Sequence, residues 1–243
     1  MNRRFVLIGL VISVNLGAQR QESATAAHQD GSKLRLAFIG DVNLGTITLR
    51  DGLPPDDGRT LFRAAHSALV GDMVIANLEG PLVTGGRSTK CGPRSTACYA
   101  FGTPSGLAVR LRDAGITHVN LANNHANDFG PAGRASTAVT LAALGVRSYG
   151  AGGEVRVDTV SIGGKRHRIA LIGFATSPGM RDVRDIAAAR LAVAAARARA
   201  DFVVVTMHAG AEGTRAIHVP MGPERFAGEN RGDLRRFTRA VID

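Results

Sequence analysis

Tryptophan is absent from the 243-residue chain, tyrosine occurs twice, and aromatic residues make up only 5%. The basic residues are not interleaved with aromatics in the way that stacks on bases, and no run of five like charges occurs, which argues against nucleic acid as a partner. Cysteine is nearly absent too, and two residues cannot frame a disulfide-rich mini-scaffold. Long apolar runs are missing apart from one near the N-terminus, which excludes a multi-span membrane protein. Lysine is scarce: 3 residues stand against 27 arginines, so the net charge of +10 is an arginine charge. What remains is ordinary globular composition, 44% apolar and 21% charged. At this length it suffices for an α/β or α+β core that needs neither metal nor disulfide to fold. The basic balance suits a carboxylate or phosphate polymer as well as it suits a general solvated surface.

The one apolar run reads as an export signal. Arg3 and Arg4 precede Phe5 to Ala18, a stretch broken only by Ser13 and Asn15. It is short for a membrane span and of the right length for the core of a signal peptide. Ala24-Thr25-Ala26 supplies a small-x-small cleavage site, so residues 1–26 are expected to be a signal peptide, with an uncleaved membrane anchor as the alternative. Removing them leaves a net charge of +8. Export to the periplasm, cell envelope or medium is an oxidising route, along which Cys91 and Cys98 can close a small loop. Six residues lie between them, too many for the usual paired-cysteine zinc spacing.

From Leu34 onward the chain alternates strand and helix patterns, which predicts one α/β domain over residues 34–243. Strands are expected at Leu34–Ile39, Met73–Ala76, Thr117–Ala122 and Phe202–Met207, and a hairpin at Val155–Ile162 and Arg168–Phe174 around Gly163-Gly164. Helices are expected at Thr60–Val70, from Pro104 to Ala114, from Pro131 to Gly145, through Ala187–Ala200 and at Leu234–Ile242.

Polar residues gather where four of these strands end. The ends read Gly40-Asp41-Val42-Asn43, Asn77-Leu78-Glu79-Gly80, Asn123-Asn124-His125 with Asp128, and His208-Ala209-Gly210 with Glu212. Taken singly, each has a bland reading as a turn former, cap or buried histidine. Together they bring carboxylate, amide and imidazole donors to the carboxyl edge of an α/β sheet, where ligands collect. That donor set suits a hard or borderline divalent cation, and the lack of sulfur disfavours iron–sulfur or thiolate zinc.

Asn124-His125 after a Gly-Asp start resembles the metallo-dependent phosphatase superfamily. The full set, Gly40-Asp41-Val42-Asn43-Leu44-Gly45, Asn77-Leu78-Glu79-Gly80-Pro81-Leu82, Asn120 to His125 with Asp128, and His208 to Glu212, is similar to the CapA family of capsule synthesis. The resemblance implies a four-layer αββα sandwich of metallophosphatase type and a part in capsule or poly-γ-glutamate biosynthesis. It implies two divalent metal ions of the manganese, iron or zinc kind. Asp41, Glu79, Asn124 and His208 would be their ligands, with His125 as general acid. Asp128, three residues on, is the nearest group to hold the His125 tautomer. Glu212 and Arg215, on the loop after the fourth strand, would meet substrate. The implied partners are a phosphoester or a polyanionic capsule polymer, together with membrane-bound synthesis machinery.

Two features depart from the pattern. Asn43 stands where the phosphatases carry histidine. The family's closing Gly-His-x-Pro-His segment is expected just beyond Asp243, so by the resemblance the domain is expected to be C-terminally truncated and short of two ligands. A metal-dependent hydrolase and a non-catalytic protein that guides a polyanion therefore both stand. A serine esterase does not, because Val42 occupies the nucleophile's place. Nor does a glycine-rich nucleotide loop at Gly150-Ala151-Gly152, where Val155 replaces the third glycine.

Overall fold

The computed structural model describes residues 6–8, 33–88, 90–92 and 98–242. Apart from Val6–Ile8, the stretch read as a signal peptide lies outside them. In chain order the strands begin with β1 (Val6–Ile8), β2 (Leu36–Val42), β3 (Met73–Leu78), β4 (Leu82–Val83) and β5 (Thr103–Pro104). Helix α1 (Val109–Asp113), β6 (His118–Asn120), α2 (Gly130–Ala143), β7 (Arg147–Tyr149), β8 (Val155–Ile162), β9 (Lys165–Ala175) and β10 (Arg181–Asp182) follow. The described chain closes with α3 (Ile186–Arg199), β11 (Phe202–His208), β12 (Glu224–Phe226), β13 (Glu229–Gly232) and α4 (Leu234–Ile242).

The architecture is mixed α/β. One sheet is wholly parallel, in the order β2-β3-β6-β7. In the second large sheet, β11 lies parallel to β9 on one side and to β1 on the other, β10 runs parallel to the end of β9, and β8 folds back on β9 as the expected antiparallel hairpin; β4–β5 and β12–β13 form two small pairs. Alternation along the strands sorts side chains onto two faces. Met73 and Ile75 of β3 join Tyr149, Ile169, Leu171 and Val204 in a core shared by both sheets. Val74, Ala76 and Leu78 point the opposite way and pack with Leu111 of α1 and Leu141 of α2. On the far side of the second sheet, Ala170, Ile172, Val203 and Val205 meet Ala189, Val193 and Ala196 of α3 and Leu234, Phe237 and Val241 of α4.

Local chemistry accounts for the helices. Pro131 occupies the first turn of α2, and Gly145 follows its last turn with φ of 71°, a left-handed exit that glycine makes without strain. Asp185 caps α3 by accepting the Ala188 N–H at 2.9 Å, and Arg197 and Arg199 lie in its last turn, at the negative end of the helix dipole.

The helix expected over 60–70 does not form. Bonds such as Arg63 N–H to Thr60 O (3.1 Å) and Ala65 N–H to Phe62 O (3.0 Å) span three residues, and only a short 3-10 turn, His66–Ala68, is regular. Phe62, Ala65 and Leu69 still meet the core at the expected period. Low helix propensity at Thr60, Phe62, His66, Ser67 and Val70 lets tighter turns prevail. The helix expected from Pro104 likewise begins as a 3-10 turn, Ser105–Ala108, and is α-helical only in α1.

Candidate metal centre

Parallel pairing sets the carboxyl ends of β2, β3 and β6 in one row, with Asp41 opposite Asn77 and Asn77 opposite Asn120. Period two continues the shared core outward along each strand. Ile75 leads to Asn77, His118 to Asn120, and Val204 through Thr206 to His208. On β2 that period would bring Gly40 to this face. The register instead shifts between Phe38 and Asp41, where β2 carries one more residue than β3. A bulge of this kind re-aims the following side chain, and it is Asp41 that turns toward the row.

Asn77 is the hub. Its Oδ1 accepts from Asn120 Nδ2 (3.0 Å) and Asn123 Nδ2 (3.2 Å). Its Nδ2 is thereby aimed at Asp41 Oδ1, 2.7 Å away, and lies 3.3 Å from His208 Nδ1. His208 Nδ1 is also 3.4 Å from Asp41 Oδ1, and its Nε2 lies 2.8 Å from Asn124 Oδ1 and 3.7 Å from Glu79 Oε1. Ligand atoms of Asp41, Glu79 and His208 all fall within 4.8 Å of one another.

The electrostatics fit a cation. Burial pushes the Asp41 carboxyl up, but the hydrogen bond and charge of His208 and the Asn77 amide outweigh it, leaving Asp41 below the usual carboxylate value. Glu79 is raised, first by burial and then by the Asp41 charge, with a smaller contribution from Glu212. Two carboxylates thus face one gap with their repulsion only partly answered by imidazoles, and a divalent ion would relieve it.

Beside this group, His125 Nδ1 lies 2.6 Å from Asp128 Oδ2, and His125 Nε2 lies 3.7 Å from Glu79 Oε1. The expected pairing of His125 with Asp128 is present in the geometry. Asp128 is 1% exposed and also accepts from Phe101 N–H at 2.8 Å and from Lys90 Nζ at 2.8 Å. Asn123, fully buried, accepts the His125 N–H at 3.0 Å and so fixes the turn that presents the ring.

Asp41, Glu79, Asn124, His125, Asp128 and His208 are therefore brought together. Glu212 is half-exposed and held at 2.9 Å by the buried Arg231. Arg215 stands exposed on a 3-10 turn, and among the described residues no hydrogen bond or ion pair links it to the cluster. Asn43 turns its Oδ1 back to the Gly45 N–H at 2.9 Å. Cys91 and Cys98 are joined by a disulfide. Sequence reading passed over Lys90, Phe101 and Arg231, and it placed Asn77 and Asn123 among the strand-end donors, or as turn formers, without giving either a role of its own. The recurrence of asparagine at two adjacent strand ends was the available signal for the hub.

A mixed α/β domain with carboxylate, amide and imidazole donors gathered at parallel strand ends has the layout of the metallophosphatase-like class. Residues 35–219 match the profile of the bacterial capsule synthesis protein family PGA_cap, and the chain belongs to that family, a branch of the metallophosphatase-like superfamily. A search of curated proteins finds no match. Among the described residues, no helix is long and apolar enough to cross a membrane.

Proposed function

We propose that this capsule synthesis protein is an exported, metal-dependent hydrolase of a phosphoester in the cell envelope, acting in capsule or poly-γ-glutamate production. The observation that carries the reading is the meeting of Asp41, Glu79 and His208 within 4.8 Å, beside a His125–Asp128 pair 2.6 Å apart. Asp41, Glu79, Asn124 and His208 would hold the divalent ions. When bound, such ions polarise the phosphoryl oxygen and acidify water. The chain's own residues do the rest. Asp128 keeps the proton on His125 Nδ1 and stabilises the imidazolium form of the ring, whose Nε2–H on the Glu79 side gives its proton to the leaving oxygen and leaves a neutral imidazole. Asn77 orients the Asp41 carboxylate, and Asn123 fixes the backbone beneath His125.

The test is metal content by elemental analysis and hydrolysis of p-nitrophenyl phosphate mono- and diesters, with the variants His208→Ala and His125→Asn. The parent protein is expected to bind divalent metal and His208→Ala to bind it at least about 10-fold more weakly. His125→Asn should keep the metal and lose hydrolysis by about 100-fold or more. A metal-free parent, or unchanged metal binding in His208→Ala, overturns the reading.

A second reading, a non-catalytic protein that binds a polyanionic capsule polymer, is favoured by one observation. Arg190, Arg235, Arg236 and Arg239 line a surface depression of about 310 Å³ along α3 and α4. Among the described residues, the guanidinium groups of Arg190, Arg236 and Arg239 have no carboxylate partner.

A further inference from the structure

Two limbs of the chain close over the turn that carries His125. On one limb, Ser88 Oγ donates to the Asp128 carbonyl at 2.6 Å. Lys90 Nζ lies 2.8 Å from Asp128 Oδ1, 3.2 Å from the Asn124 carbonyl and 3.1 Å from His125 Nδ1. On the other limb, Phe101 N–H donates to Asp128 Oδ2, and the Phe101 ring lies against His125 with centroids 4.1 Å apart. The Cys91–Cys98 disulfide joins the limbs, with Cα atoms 5.6 Å apart. Cys91 follows Lys90 directly, and Cys98 stands just before Tyr99, Ala100 and Phe101.

These contacts divide the donors in one way. A separation of 2.6 Å between His125 Nδ1 and an ionised carboxylate oxygen requires a proton between them, so Nδ1–H donates to Asp128. An ammonium cannot donate to a nitrogen that is already protonated, so Lys90 directs its hydrogens to Asp128 Oδ1 and the Asn124 carbonyl. Those two acceptors lie at opposite ends of the turn 124–128, and Lys90 spans it. Charge-assisted bonds to a carboxylate that is 1% exposed are the strong kind. Lys90 itself is 31% exposed in its side chain, and a long flexible side chain holds such a place only if its backbone is anchored.

We propose that Lys90 is a positioning residue for His125 and that the Cys91–Cys98 bridge keeps it in place by tying its limb to that of Phe101. Lys90 acts through Asp128 and the Asn124 carbonyl, which set the plane and tautomer of the ring. The proposal rests on the reading of His125 as the proton donor.

Nitrogen-15 NMR of histidine side chains in the full-length oxidised chain tests it, using Lys90→Met, Lys90→Arg and the double variant Cys91→Ser/Cys98→Ser. The parent should show a low-field Nδ1–H proton for His125, assigned by its loss in His125→Asn. Lys90→Met and the double-serine variant should lose or broaden it, and Lys90→Arg should restore it in part. In hydrolysis, Lys90→Met should lower kcat about 10-fold with KM and metal affinity unchanged. If Lys90→Met does not fold, the double-serine variant carries the test, because it leaves Lys90 in place. The proposal is overturned if the parent lacks the resonance, or if the folded variants retain it unchanged. Altered resonances in the variants of a parent that hydrolyses nothing would sink the hydrolase reading and leave the positioning of the His125 ring standing.

Discussion

His118 lies 1% exposed between the two sheets, with Nε2 2.9 Å from Asp158 Oδ2 on β8 and Nδ1 2.8 Å from Thr117 Oγ1. Arg156 Nε donates to the same Asp158 oxygen at 2.6 Å. Burial lowers the His118 pKa below its ordinary 6.5, and the Asp158 carboxylate recovers only part of the loss. The unfolded chain therefore takes up the proton first, and stability falls as pH drops below about 6.5. Asp158 is pulled below its ordinary 3.8 by Arg156 and His118 against its own burial. Its contribution is present above that value and is lost only as pH falls through the lower folded value. His118→Gln should cost about 1–3 kcal/mol at neutral pH through the broken buried bond, and it should flatten the fall in stability below about pH 6.5. Urea unfolding of both proteins at several pH values checks this, and parallel curves would clear His118 of the effect. This link was not legible in the chain: His118 and Asp158 are 40 residues apart, and only the facing of two sheets joins them.

At the scale of elements, the strands run further than their apolar cores suggested. β2, β3 and β11 extend to Val42, Leu78 and His208, so Asp41, Asn77 and His208 are held by ladder bonds rather than by loops. Apolar periodicity could not mark those ends, because polar residues replace apolar ones where the shared core opens to the site. The β12–β13 hairpin was also unread. Its Arg231 Nε donates to the Gly210 carbonyl at 3.0 Å, and its Glu224 accepts the Ala211 N–H at 3.0 Å, which holds the loop after His208. Gly173 of β9 is placed by the same crowding. A Cβ there would lie 2.2 Å from Asn120 Oδ1 and 3.1 Å from the Ala122 Cβ. Gly173→Ala should therefore destabilise by about 1–3 kcal/mol, and by displacing Asn120 it should loosen Asn77 and weaken metal binding. Denaturation and metal titration of the variant measure both, and full metal affinity would show that Asn120 does not hold the hub.

Over the whole molecule, arginine excess becomes a patterned surface in at least one place. On α4, Leu234, Phe237 and Val241 turn inward while Arg235, Arg236 and Arg239 remain exposed beside Arg190 of α3. A flexible glutamate polymer would present one carboxylate per residue to such guanidinium groups. Removing two of them as Arg236→Ala/Arg239→Ala should weaken polymer binding about 10-fold, because exposed ion pairs are worth about 0.2–1 kcal/mol each. The residual binding should fall with salt, as exposed charges are screened. Calorimetry against polyglutamate at two ionic strengths reads the effect, and equal affinity in parent and variant would remove this patch from the second reading.

The sequence by itself determined the α/β class, most of the elements, the pairing of Cys91 with Cys98, and the donor residues at four strand ends. Each of these depends on local pattern: apolar period, turn and cap chemistry, and residue type at a strand terminus. Tertiary structure alone decided which donors meet. The β2 bulge turns Asp41 inward, two facing sheets bring His208 to Asp41 and Asn124, and a disulfide-tied pair of limbs brings Lys90 and Phe101 over His125. Such contacts join residues tens of positions apart, and their geometry follows from register and sheet packing, which no local pattern encodes.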